Sequence, residues 1–239
     1  MDLAKLFAAV LALISPAKEP PKELLLQSGN TIVAMGDSIT QGGGYLRYAD
    51  AVLAQQYPDL KLPKIVNKGI SGQKAEDLIG RFEKDVIAAK PAVVTINIGI
   101  NDVWHRLKGP HDDNVLQKYK ENVTKMVDQA QAAGIKVILL TPTVIEEKAD
   151  AEGNKRLALY VEAMKQIAAE KKCGLVDLHG LFLEAIEKKP ADKKTWLTSD
   201  NVHMQPLGDS LMAVGMLRGL GVPDDKISAT DLSDKGGKK

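Results

Sequence analysis

A single cysteine, Cys173, stands among 239 residues, so no disulfide can close within the chain. Thiolate zinc clusters and CxxC redox chemistry are excluded with it. Aromatic residues make up only 4% of the chain, too few for the broad stacking platform that holds a single nucleic-acid strand. Charge of one sign is missing as well: 32 Lys and Arg oppose 31 Asp and Glu, a net charge of +1. Nucleic-acid binders carry a basic excess and acidic disordered chains the reverse; this chain matches neither. No apolar run reaches the ~18 residues that a membrane-spanning helix requires. What remains, at 44% hydrophobic and 26% charged residues, is an ordinary globular composition. A chain of this length buries enough apolar surface to fold without a disulfide or a metal.

Residues 1–17 read as a signal peptide. Lys5 precedes the uninterrupted apolar stretch Leu6 to Ile14, and the small residues Ser15 and Ala17 flank Pro16. That reading makes the protein secreted or periplasmic. The alternative is an N-terminal helix kept in a cytoplasmic protein. Residues 18–29 form a linker opened by Lys18-Glu19-Pro20-Pro21-Lys22, the body spans residues 30–222, and residues 223–239 read as a polar tail.

Within the body, short apolar runs alternate with helix-period segments. Strands are expected at 31–35, 64–67, 92–98, 136–140 and 175–177. Helices are expected at 45–56, 75–88, 114–133, 154–172, 181–188 and 206–219, the last with Pro206 in its first turn. Near-continuous β-branched runs separated by helices indicate βαβ units and a parallel sheet covered on both faces. The predicted architecture is α/β, a three-layer α/β/α sandwich on a five-stranded parallel sheet of flavodoxin-like order. Ligands of such folds sit beyond the carboxyl ends of the strands.

Four short blocks fall at those positions. Gly36-Asp37-Ser38 follows the first strand, Asn67 to Gly72 the second and Gly99-Ile100-Asn101-Asp102 the third, while Asp200-Asn201-Val202-His203 precedes the last helix. Taken singly, each is a capping or turn sequence. Gly42-Gly43-Gly44 is followed by Tyr45, not by Lys-Ser/Thr, so it is no phosphate loop. Thr40 stands where the nucleophile elbow GxSxG has its second glycine. Taken together, the blocks supply what nucleophilic catalysis needs. Ser38 is a candidate nucleophile, and His203 is a base whose partner Asp200 lies one turn away. Glycine-turn N–H groups and the Asn101 amide are donors suited to an oxyanion.

In that order the blocks resemble the signature of the SGNH (GDSL-type) hydrolases, over roughly residues 30 to 220 by fold. The resemblance implies a serine esterase or acylhydrolase with Ser38 as nucleophile, His203 as general base and Asp200 orienting it. It implies an oxyanion hole built from the Ser38 and Gly72 N–H groups and the Asn101 side chain. Asp37, Asn67 and Asp102 are expected to support the loops, and no cofactor or metal is required. His105, His111, Asp112 and Asp113 match no metal spacing and read as a solvated loop, and His179 as a helix-start residue.

Substrate is less legible. Tyr45, Trp104 and Thr141-Pro142-Thr143 are candidate crevice walls. A small-molecule or carbohydrate ester with a short acyl group, acetyl above all, fits a near-neutral chain lacking an apolar lid. A lysophospholipase or thioesterase acting on longer acyl chains is the first alternative, and a non-catalytic glycan- or lipid-binding module the second. Nothing in the sequence specifies an oligomeric state.

Overall fold

The computed structural model describes residues 3–16 and 23–230. Five strands form where apolar residues run without interruption: β1 Ile32–Gly36, β2 Val66–Gly69, β3 Val93–Asn97, β4 Lys136–Leu140 and β5 Gly174–Val176. All neighbours pair in parallel, in the order β2-β1-β3-β4-β5. That is the flavodoxin-like order, with its switch point between β1 and β3. β1 and β3 are buried at every position, as strands covered on both faces must be.

The helices are α1 Leu3–Leu13, α2 Ser38–Gly42, α3 Gly44–Gln56, α4 Ala75–Phe82, α5 Ile100–Trp104, α6 Asp113–Ala132, α7 Glu152–Lys171, α8 Leu178–Glu187, α9 Pro206–Leu220 and α10 Asp224–Ser228. α4, α6 and α7 pack together as one layer, while α1, α3, α8 and α10 gather around α9 as the other. α9 is buried along nearly its whole length, from Gly208 to Leu217. Asp177 caps α8 by accepting the Gly180 N–H, so His179 does stand at a helix start.

Several expected boundaries move, each for a physical reason. β2 begins two residues later than its apolar run, because pairing with β1 and not burial sets an edge strand: Val66 lies opposite Val33 and Gly69 opposite Gly36. The helix expected over 75–88 changes at Glu83 to a π turn ending at Ile87, in which Asp85 faces both Arg81 and Lys68. Asp112, read as part of a solvated loop, accepts the Asn114 N–H and caps α6.

The ends of the body also differ. Residues 224–228 are not tail but α10, held by buried Ile227 and by the Arg218–Asp224 pair at 2.7 Å. Before β1, the Leu25 N–H donates to the Leu220 carbonyl and Leu26 is buried, so the body begins before residue 30. α1 packs on α9 and α10 through Phe7 and Val10, both fully buried. Lys18 to Lys22 and the tail from Asp231 onward lie outside the described residues.

Candidate active site

The candidate site lies at the carboxyl ends of the strands. β1 delivers Asp37 and Ser38, where the Asp37 carboxylate accepts the Ile39 N–H at 3.0 Å and starts α2. The first N–H groups of a helix have no partner inside it, so the Ser38 N–H is unclaimed by α2. β2 runs close beneath: a Cβ on Gly69 would strike the backbone of Gln41, so only glycine fits. Asn67 ties the two together. Its amide donates to the Thr40 carbonyl at 2.7 Å, and its oxygen accepts the Gly69 N–H at 2.9 Å. Gly72 turns at φ +77°, a left-handed conformation that side chains resist.

β3 contributes Asn101 and Asp102 through α5. The Asn101 amide donates one N–H to the Gln73 carbonyl at 3.0 Å, and an amide carries a second. The Gln73 bond ties Asn101 to the segment that carries Gly72. Next comes the loop before α9. His203 Nε2 lies 2.9 Å from Ser38 Oγ, and His203 Nδ1 lies 2.7 Å from Asp200 Oδ2. The second Asp200 oxygen accepts the Val202 and His203 N–H groups at 3.1 and 2.8 Å. Burial alone would raise the Asp200 carboxyl, but these bonds outweigh it and hold it below its usual value. With its proton on Nδ1, the imidazole accepts the Ser38 hydroxyl at Nε2. An unbroken chain of hydrogen bonds therefore runs from carboxylate to serine.

Two supporting carboxyls are electrostatically unusual. Burial pushes Asp37 up to about 6 against the pull of the Ile39 N–H and of His203, and its Oδ2 has no hydrogen-bond partner among the described residues. Burial likewise pushes Asp102 up to about 7, although the Ala75 N–H and Arg106 favour the charge. The sign of the consequence follows. Asp102 titrates higher folded than unfolded, so the native state holds the extra proton, and stability falls as pH rises from about 4 through 7. Asp102→Asn, which removes the charge, is expected to raise Tm at pH 8 by roughly 8–16 °C and to leave it nearly unchanged at pH 4. Calorimetry at the two pH values reads the difference; equal shifts at both would refute burial as the cause.

Reasoning from sequence missed the residues that lock the crevice floor. Arg81 of α4 donates to the Gly36 and Lys68 carbonyls at 3.2 and 2.9 Å, to Gln73 Oε1 at 2.6 Å and to Asp85 at 2.7 Å. Gln41 Oε1 accepts the Ser71 N–H at 2.7 Å, a second tie between α2 and the Gly72 turn. The Arg81–Asp85 spacing of four was the one local signal. Trp104, an expected wall, is 37% exposed and stands edge-on to His203 with ring centroids 6.0 Å apart. Tyr45 is fully buried and bonded to Thr40, so it is core and not wall. Among the described residues, no group of three or more His, Cys, Asp or Glu is arranged to hold a metal.

Residues 34–211 match the model of the GDSL-like lipase/acylhydrolase family. The chain belongs to that family. An acetylxylan esterase of Geobacillus stearothermophilus is 34% identical over 212 residues, covering 81% of this chain and 95% of the relative. Its solved structure superposes with a TM-score of 0.73 at 33% identity, covering 82% of this chain and 96% of that one. Structures described as catalytic mutants of that enzyme carry alanine in place of a serine, or of an aspartate and a histidine three positions apart. The human isoamyl acetate-hydrolyzing esterase 1 homolog is 27% identical, over 76% of this chain and 77% of the relative. An α/β hydrolase from the metagenome of Lake Arreo, Spain, superposes with a TM-score of 0.74 at 28% identity, over 84% of this chain and 99% of that one. This GDSL-family chain is an esterase of the acylhydrolase type, built on the α/β fold its sequence indicates. Among the described residues, no helix is long and apolar enough to cross a membrane.

Proposed function

We propose that the chain hydrolyses acetyl and other short-acyl esters through an acyl-enzyme on Ser38, with carbohydrate as the natural alcohol. The observation that carries this reading is the chain Asp200–His203–Ser38, with links of 2.7 and 2.9 Å, beyond the carboxyl end of β1. Ser38 Oγ attacks the ester carbonyl carbon as its proton passes to His203 Nε2, and Asp200 stabilises the imidazolium. The oxyanion that develops is met by the Ser38 and Gly72 N–H groups and the free N–H of Asn101. His203 then protonates the leaving alcohol, and water repeats the sequence with roles reversed. The acetylxylan esterase whose catalytic mutants include an aspartate and a histidine three apart supports the same roles for Asp200 and His203. The acetylxylan esterase activity of that relative supports acetyl as the acyl group and a sugar as the alcohol. Trp104 offers an exposed ring beside His203 for a sugar face.

Initial rates on p-nitrophenyl esters of increasing chain length test the acyl assignment. The expected result is a kcat/KM highest at acetyl and falling with each added pair of carbons. A preference for C8 or longer would instead assign a long-chain acylhydrolase. For residues 1–17, the burial of Phe7 and Val10 against α9 and α10 supports the N-terminal-helix reading over the cleaved leader of an exported protein. Sequencing the N-terminus of protein isolated from its host is expected to find Met1; a start near residue 18 would establish the leader.

A further inference from the structure

The loop that carries Asp200 and His203 is bonded chiefly to itself. Asp200 accepts both Val202 and His203 N–H groups as well as the ring, and the Ser199 N–H donates to the His203 carbonyl at 2.8 Å. These bonds fix carboxylate to imidazole. They do not fix either group relative to Ser38, which stands on a different element 165 residues away in sequence. Something must register this loop against the sheet.

The loop between β4 and α7 supplies that register. Glu147 has a side chain only 1% exposed, in contact with Lys189 at 3.3 Å. Its carboxylate accepts three successive backbone N–H groups, those of Trp196, Leu197 and Thr198, at 2.6–2.9 Å. It also accepts the Thr198 hydroxyl at 2.8 Å. Consecutive N–H groups wrapped around one anion form a backbone nest, and this one ends two residues before Asp200. Beside it, the Glu146 N–H donates to the Asn201 carbonyl at 2.8 Å, at the tip of the same loop. Glu147 is itself held fast. Buried Asn154 of α7 accepts the Ile145 N–H at 2.8 Å and donates to the Glu146 and Lys148 carbonyls at 3.0 and 2.9 Å.

We propose that Glu147 is a positioning residue of this esterase: through the 196–198 nest it sets the distance from His203 to Ser38. It touches neither substrate nor reacting atoms and acts through the loop. The proposal rests on reading Asp200 and His203 as catalytic. Burial by itself would raise the Glu147 carboxyl, but the hydrogen bonds from Trp196, Thr198 and Leu197 outweigh it and hold the group below its usual value, so it is charged at neutral pH.

Glu147→Gln keeps the shape but turns one acceptor into a donor. Whichever oxygen is replaced, N–H then faces N–H in the nest, or faces the Lys189 ammonium. A displacement of about 1 Å at a reacting pair costs on the order of 10²-fold. The expected result on p-nitrophenyl acetate, assayed well below Tm, is a kcat lowered roughly 10- to 100-fold with KM within about twofold of wild type. The rate at which a fluorophosphonate labels Ser38 should fall in parallel. A lower Tm with wild-type kcat, or a change confined to KM, would reduce Glu147 to a structural residue and overturn the proposal. Should Glu147→Gln fail to fold, Thr198→Val removes a single donor at a fully buried, isosteric site. There a kcat lowered roughly two- to fivefold at constant KM supports the proposal, and wild-type kcat overturns it. His203→Ala runs beside both variants. Wild-type rate in that variant removes the catalytic reading itself; lost rate there with wild-type rate in Glu147→Gln removes only the role of Glu147.

Discussion

Ser38→Ala is expected to lower kcat on p-nitrophenyl acetate by on the order of 10⁶-fold, because a serine and its histidine act as a unit and either loss stops the chemistry. Without Oγ there is no atom at the head of the hydrogen-bond chain to form the acyl-enzyme. The oxyanion donors remain, and a residual rate of roughly 10³-fold over water is all they sustain. The fold should not change. Ser38 is only partly buried, its side chain bonds to His203 alone among the described residues, and the cap of α2 belongs to Asp37. An unchanged Tm together with the lost kcat therefore assigns the effect to chemistry. His203→Ala should lose as much, and the double variant little more. If the losses multiplied instead, the two residues would be acting independently.

Asn101→Ala is expected to lower kcat by on the order of 10²–10³-fold, or about 3–4 kcal/mol, with KM little changed. The amide is fixed before substrate arrives: one N–H is spent on the Gln73 carbonyl at 3.0 Å, and the other is the donor proposed for the oxyanion. Its value lies in the transition state, when negative charge has moved onto the carbonyl oxygen, so kcat and not KM carries the loss. The two backbone donors cannot be removed by substitution, which leaves Asn101 as the handle on this part of the site. Asn101→Asp is the sharper variant. It keeps size but replaces the donor with a charge of the oxyanion's own sign, and should fall below Asn101→Ala. Because Asn101 is buried, Tm is measured alongside. A kcat within tenfold of wild type in Asn101→Ala would take this residue out of the oxyanion hole.

What could be read in the sequence follows the range of the forces involved. β4 falls at residues 136–140 as expected, because an uninterrupted apolar run is a local signal of a strand buried on both faces. β2 slipped by two residues because an edge strand with exposed Val66 and Asn67 carries no such signal, and its position is set by pairing with β1. α2 and α5, five residues each, are below the length at which periodicity can be read; they form because the strand ends and their caps impose them. α10 was hidden by the charges of Asp224, Asp225 and Lys226, although Ile227 between them is buried.

The site divides in the same way. Asp200 and His203 could be paired from the sequence because three residues separate them, and the structure does bond them to each other and to Ser38, whose block is short and contiguous. Arg81 and Glu147 were not. Arg81 reaches the Gly36 carbonyl across 45 residues and Glu147 reaches Thr198 across 51, and nothing local distinguishes either from a solvated charge. The apolar run before Pro16 serves a cleaved leader and a docked helix equally well, and the packing of α1 on α9 and α10 is a contact between distant segments that no local pattern announces.

The account depends most on the hydroxyl of Ser38 being activated by His203. Treatment of the folded protein with a fluorophosphonate, followed by mass spectrometry of its peptides, tests that directly. A single adduct on Ser38 is predicted, absent from Ser38→Ala and formed at least 100-fold more slowly in His203→Ala, on the order of the loss that follows removal of a general base. An adduct on a different serine, or labelling of Ser38 that does not slow in His203→Ala, would contradict it.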